Sequence, residues 1–184
     1  MSCATPAISV IIPTRDARSV LRCTLAALAT QTIPAEQYEV IVVGGVADDA
    51  IRGLAPAQPP YHLRTVTRNG AGAAQRRNAG AVEARGELLV FIDDDMRAEP
   101  GFLAAHWNAH AEAGSRRVVV GYLPQQLDSS HEGKPLGWLE LDVRRWWEDT
   151  FHEMMQPGHR FTYTEMFSGN FSIATALFRT LGGF

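Results

Sequence analysis

The 184-residue chain is 46% apolar and 20% charged, enough for one packed domain and outside the composition of disordered chains. Its net charge of −3 argues against a nucleic-acid-binding surface or a polybasic membrane anchor. Two cysteines, Cys3 and Cys23, match neither a zinc-ligand spacing nor a disulfide framework, and no apolar run reaches the roughly 18 residues of a membrane span. With no signal peptide ahead of the first apolar run, the expectation is a cytoplasmic protein, at most peripheral to the inner face of a membrane.

Residues 7–12 are a β-branched run closed by Pro13 and read as the first strand. Thr14, Arg15 and Asp16 form a polar turn, with Asp16 or Ser19 as candidate helix caps. Leu21, Leu25 and Leu28 then fall at i, i+4 and i+7, one apolar stripe, and Pro34 follows as a stop signal. Residues 38–43 are the second strand, broken by Gly44 and Gly45. Residues 63–66 give a short third strand, and the glycine-rich turn 69–72 opens a helix reaching about Ala84. Residues 88–92 are five consecutive apolar side chains, as in a parallel strand buried on both faces. Helix is expected over 101–113 and strand over 118–122.

From Leu123 to about Phe167 the β–α rhythm fades into a Trp- and Met-rich stretch, with a helix from Leu136 to Glu153. That stretch suits a core or lid better than a membrane face, and its aromatics could stack on a sugar or seat a partner. A last strand is expected over 171–174, followed by a short helix over 175–181. Alternation of strand and helix makes this an α/β chain with right-handed βαβ crossovers and a mainly parallel sheet flanked by helices.

The chemistry concentrates at Asp93, Asp94 and Asp95, directly after the buried strand. Open α/β sheets bind ligands outside the carboxyl ends of their strands. Three adjacent carboxylates repel one another, and a cation offsets that repulsion. Oxygen-only ligands point to Mg²⁺ or Mn²⁺ rather than zinc, and hence to a phosphate-bearing ligand. The 69–72 turn could offer backbone amides to a phosphate, with Arg76 and Arg77 adding charge, although Gln75 replaces the third glycine of a dinucleotide fingerprint and there is no Walker lysine. The six histidines show no zinc-like pairing, and no Gly-x-Ser-x-Gly elbow is present.

Taken in order, these segments resemble the family 2 inverting glycosyltransferases of the GT-A fold. Residues 8–14 (Ile-Ser-Val-Ile-Ile-Pro-Thr) look like that family's opening strand, Leu25 to Thr32 like its first helix, and Glu39 to Val43 like its second strand. Arg77-Asn78-Ala79-Gly80 resembles its Ala-Arg-Asn-x-Gly helix. Residues 86–95 with Pro100 resemble its Asp-x-Asp strand. Ser168-Gly169-Asn170 and Leu181-Gly182-Gly183-Phe184 look like the segment approaching the acceptor.

The resemblance implies one GT-A-like nucleotide-sugar-binding domain over 1–184, a nucleotide and metal half over 1–122 and a partial acceptor side over 123–184. It implies that Pro13, Thr14, Arg15, Gly44 and Gly45 line the donor's nucleotide, that Arg77 lies near the nucleotide or diphosphate, and that Asp93 or Asp94 reaches the ribose. Asp95, with Asp93, would hold Mg²⁺ or Mn²⁺, while Gly169 and Asn170 would border the sugar and acceptor. The implied partner is a nucleotide-diphospho-sugar donor. The acceptor class stays open between glycan, lipid and small molecule.

Two departures stand out. Where the family has Asp-Asp-Gly-Ser after the second strand, including an acid that recognises the base, this chain has Gly44-Gly45-Val46-Ala47, and acids return only at Asp48 and Asp49; either those shift inward or base recognition is weaker or different, which leaves the nucleotide open. The family's general base follows its Gly-Gly-Phe, and the chain ends at Phe184, so Glu165 is left as a weak candidate base. A donor-binding fragment of a longer protein is the resulting expectation. Its rivals are a degenerate binding or assembly module without turnover, and a nucleotidyltransferase, for which Arg15 and Arg18 poorly imitate the usual signature.

Overall fold

The structure is a computed structural model that describes residues 5–16, 19–45, 47–113, 116–124 and 137–184; Cys3, Arg18, Val46 and Leu136 lie outside them. The chain divides into two compact units, Met1–Val120 with Ser168–Phe184, and Gly121–Phe167.

The first unit is built on a six-stranded sheet. Its strands are β1 (Ile8–Pro13), β2 (Tyr38–Gly44), β3 (His62–Thr67), β4 (Leu88–Ile92), β5 (Val118–Val120) and β6 (Asn170–Ala174). They lie in the order β3-β2-β1-β4-β6-β5, with β1 to β4 mutually parallel and β6 antiparallel to both β4 and β5. The connecting helices are α1 (Ser19–Leu28), α2 (Asp48–Arg52), α3 (Ala73–Glu83), α4 (Phe102–Ala113) and, after β6, α6 (Thr175–Leu181). The short α2 carries no apolar stripe, only Ile51 buried, and sequence periodicity does not reveal it.

Side-chain alternation explains why the central strands are apolar throughout. In β4, Leu88, Val90 and Ile92 enter one core with Leu21, Leu25 and Leu28 of α1 and Leu103 of α4. Leu89 and Phe91 enter the other with Ala79 and Ala81 of α3 and Phe178 of α6. Both faces are covered, so polar alternation would bury unpaired groups on one side. The three α1 leucines are fully buried, contributing roughly 1.5–3 kcal/mol each.

Where α3 crosses β1 and β2, only glycine fits. A Cβ at Gly80 would lie 2.5 Å from Ile11 Cγ2 and 3.1 Å from Val43 Cγ2. At the strands' amino ends, buried Glu39 accepts from Ser9 Oγ at 2.7 Å and from the Arg85 amide at 2.8 Å, and Ser9 Oγ accepts from the Gly86 amide at 2.8 Å. These bonds pin β1, β2 and the entry to β4 at the edge away from the aspartates.

The second unit holds α5 (Trp138–Met154), one residue longer at its carboxyl end than expected. Trp147 stacks on Phe151 at 5.6 Å, and Phe167 packs against both at 4.6 and 5.6 Å, with Tyr122 edge-on to Phe151 at 4.9 Å. This is a small aromatic core, and Trp138 stands outside it, exposed. A cavity of about 70 Å³ beside it, lined by Tyr122, Leu123, Arg144 and Trp147, is far smaller than the several hundred Å³ of a cofactor-sized pocket. Among the described residues no helix is long and apolar enough to cross a membrane.

Candidate active site

Strand order reverses between β1 and β4: β2 and β3 lie on one side of β1, while the chain resumes on the other with β4. In open α/β sheets this switch point leaves a crevice at the strands' carboxyl ends. Pro13 and Thr14 end β1 there, Gly44 and Gly45 end β2, and Asp93 to Asp95 follow β4. Because β6 runs antiparallel to β4, with Asn170 opposite Ile92, the start of β6 brings Gly169 and Asn170 to the same edge.

The three aspartates have different fates. Asp93 accepts from Arg77 Nη2 at 2.5 Å, and Arg77, almost fully buried, also lies over the Phe184 ring at 5.7 Å. On its other side Asp93 presses on Gly169, where a Cβ would stand 2.6 Å from Asp93 Oδ2. The Asp93 amide donates to the Gly169 carbonyl at 3.2 Å. Burial raises the Asp93 pKa, the Arg77 charge opposes the rise, and Asp95 adds to it. Asp94 is a structural tie. Its carboxylate receives the Thr14 hydroxyl at 2.5 Å, and its carbonyl receives the Thr24 hydroxyl at 2.8 Å, joining β1, β4 and α1. Asp95 is exposed and, among the described residues, has no hydrogen bond or ion pair.

The Gly44 carbonyl accepts from the Arg68 amide at 2.7 Å, and Gly45 is exposed beside the Arg15 and Arg68 carbonyls and Asn69 Oδ1. Arg15 is exposed. Asp48 does not shift inward: it accepts from Arg52 Nε at 2.8 Å and from the Thr65 hydroxyl, which lower its pKa. The chain terminus docks on α3 through a reciprocal pair, the Phe184 amide to Asn78 Oδ1 at 3.0 Å and Asn78 Nδ2 to the Phe184 carbonyl at 3.2 Å. Gly183, at φ 86°, lies so close to Asn78 that a Cβ would be 2.7 Å from Oδ1. The Arg-Asn and Gly-Gly-Phe strings are therefore two halves of one contact.

Glu165, in the second unit, is already engaged. It accepts from the Thr162 amide at 2.6 Å and pairs with His159 Nε2 at 2.7 Å, and the Thr162 bond leads the causes that lower its pKa.

A polar cluster behind Asn170 was not drawn from the sequence. His106 and His110 of α4 both reach Ser172 Oγ, through Nδ1 at 2.7 Å and Nε2 at 2.9 Å, and His106 Nε2 meets Asn170 Oδ1 at 3.0 Å. With Asn170 Oδ1 as acceptor, His106 carries its proton on Nε2 and its Nδ1 accepts from Ser172. Burial pushes the His106 pKa down to about 4 and lowers that of His110. Their i, i+4 spacing was the legible signal. Among the described residues no three His, Cys, Asp or Glu side chains converge on a metal-sized point.

The family model for glycosyl transferase family 2 matches residues 9–181. The chain belongs to glycosyl transferase family 2. The validoxylamine A glucosyltransferase of Streptomyces hygroscopicus subsp. jinggangensis is 33% identical over 119 residues, 63% of this chain and 28% of that protein. An uncharacterized glycosyltransferase of Bacillus subtilis strain 168 is 36% identical over 123 residues, 66% of this chain and 31% of its own. The chain thus spans less than a third of the curated relatives it matches. The GT-A fold is shared with the mannosyltransferase PcManGT of Pyrobaculum calidifontis in complex with GDP-Man and Mn²⁺, at TM-score 0.69, 20% identity and 98% coverage of this chain against 48% of the other. Staphylococcus aureus TarS 1-349 in complex with UDP-GlcNAc superposes at TM-score 0.63 and 19% identity, covering 95% of this chain and 47% of that one.

Proposed function

We propose that this chain is the donor-binding part of an inverting glycosyltransferase that takes a nucleotide-diphospho-sugar with Mg²⁺ or Mn²⁺. The observation that carries the reading is the division of labour at the end of β4. Asp93 is fixed by Arg77 and Gly169, Asp94 is tied to Thr14, and Asp95 alone of the three has no hydrogen bond or ion pair among the described residues.

The donor set fits a hard cation of the Mg²⁺ class, which is held by one or two carboxylates and completes its shell with water and substrate phosphates rather than an all-protein cage. Asp95, with Asp93, would hold it, and when bound it would neutralise charge on the diphosphate leaving group. Pro13, Thr14, Arg15, Gly44 and Gly45 would border the nucleotide. Arg77 keeps Asp93 in place and supplies a cation beside the diphosphate. Asn170, its amide oriented by His106, and Gly169 would face the sugar. An acceptor hydroxyl would then attack the anomeric carbon from the side opposite the diphosphate, passing its proton to a base. Glu165 is a poor base because its carboxylate is engaged and its pKa lowered.

That engagement favours the second reading, a donor-binding module without turnover. Calorimetric titration with UDP-, GDP- and dTDP-sugars, with and without Mn²⁺, tests the first element common to both. Metal-dependent binding of at least one donor is expected, and no binding of any of them contradicts the proposal. Release of nucleoside diphosphate in the presence of acceptors then separates enzyme from module.

A further inference from the structure

Arg76 neighbours Arg77 on α3 but has a different environment. It is only 9% exposed, its Nε is buried without a hydrogen-bond partner, and no hydrogen bond or ion pair of its guanidinium exists among the described residues. Only the Nε donor is shut off from water; Nη1 and Nη2 are not among the buried unpartnered atoms, so the tip of the side chain offers donors that a ligand's acceptors can take. The resembling motif has alanine at this position.

Its direction follows from the helix. Gly80 faces Ile11 of β1 and Val43 of β2. Arg76 is one turn earlier on the same face, about 6 Å toward the helix amino end. At about 3.3 Å per strand residue, that is the level of Pro13 and Gly45. Arg76 therefore springs from α3 at the level of the β1 and β2 ends, where the family pattern has a base-reading acid and this chain has Gly44-Gly45.

We propose that Arg76 is a specificity-determining residue that reads the donor's nucleobase from the Gly44-Gly45 side, by donating hydrogen bonds to keto oxygens on the base edge. The inference rests on the donor-binding reading above. A carboxylate only accepts hydrogen bonds and a guanidinium only donates them, so the exchange inverts the polarity of the reader. Guanine offers O6 and N7 to a bidentate guanidinium, and uracil offers O4. Cytosine places an amino donor where uracil has O4, and adenine keeps N7 but has an amino donor in place of O6, so neither offers the keto acceptor and the bidentate pair is lost.

The test is a calorimetric titration of the 184-residue chain with GDP, UDP, ADP and CDP in Mn²⁺, for the wild type, Arg76→Gln and Arg76→Ala. The wild type is expected to bind GDP, then UDP, about tenfold or more tightly than ADP and CDP, the low end of one good bidentate pair. Both variants should lose that preference while keeping their ADP and CDP affinities. Equal weakening for all four nucleotides would make Arg76 a phosphate contact and overturn the proposal, as would an unchanged preference. Absence of binding by the wild type would instead remove the donor reading itself, and this inference with it.

Discussion

Acidification from about pH 7 to about pH 5 should destabilise the protein through His106, whose ring sits between Ser172 Oγ at 2.7 Å and Asn170 Oδ1 at 3.0 Å. Burial lowers its pKa from 6.5 to about 4, so between those values the unfolded chain binds the proton and the folded one does not. The contribution is complete above the unfolded value and drains as pH falls toward the folded one. Integrated over the stated interval, the loss is about 2 kcal/mol for this residue. His110, shifted in the same direction by burial, adds to it. Urea unfolding of wild type and His106→Gln at both pH values isolates the effect, because other titrating groups are common to the two proteins. The wild type should lose about 2 kcal/mol more than the variant. Parallel pH dependences would refute the assignment of a neutral, buried His106.

Three further perturbations probe the site and its support. Gly169→Ala places a methyl 2.6 Å from Asp93 Oδ2 and should cut Mn²⁺-dependent nucleotide binding about tenfold or more, at roughly 1–3 kcal/mol of stability, read by calorimetry and urea melts. Arg77→Met leaves the Asp93 carboxylate without its cation; because Asp93 is 44% exposed, the cost should be about 1–2 kcal/mol rather than the several expected of a fully buried pair, and the Asp93 pKa followed by carboxyl NMR should rise further. Gly80→Ala drives a methyl into Ile11 and Val43 and should cost about 1–3 kcal/mol in urea while sparing the nucleotide preference.

Much of the fold was legible because both cores impose local patterns. The apolar runs of β1, β2 and β4 and the stripe of Leu21, Leu25 and Leu28 mark elements wherever burial is two-sided or periodic. The resemblance supplied the GT-A framework, and residues expected at one edge do gather at the carboxyl ends of β1, β2 and β4. What remained hidden depends on tertiary partners. Nothing local says that Asp94 is tied to Thr14 while Asp95 has no partner among the described residues, since the three carboxylates are chemically identical in the sequence. The reversed direction of β6, which brings Gly169 to Asp93, is likewise a property of pairing rather than of composition. The His106–Ser172–His110 cluster joins α4 to a strand more than sixty residues later, and only the i, i+4 spacing hinted at it. Asp48 was offered as a substitute base reader, but Arg52 and Thr65 hold it at α2.

The most direct measurement of the central claim is a Mn²⁺ titration followed by electron paramagnetic resonance, in the presence of GDP or UDP, for the wild type and Asp95→Ala. The wild type should remove free Mn²⁺ signal beyond what the nucleotide alone removes, and Asp95→Ala, folded by circular dichroism, should not. Equal uptake by both proteins would contradict the assignment of Asp95 as a carboxylate that holds the metal against the donor's diphosphate.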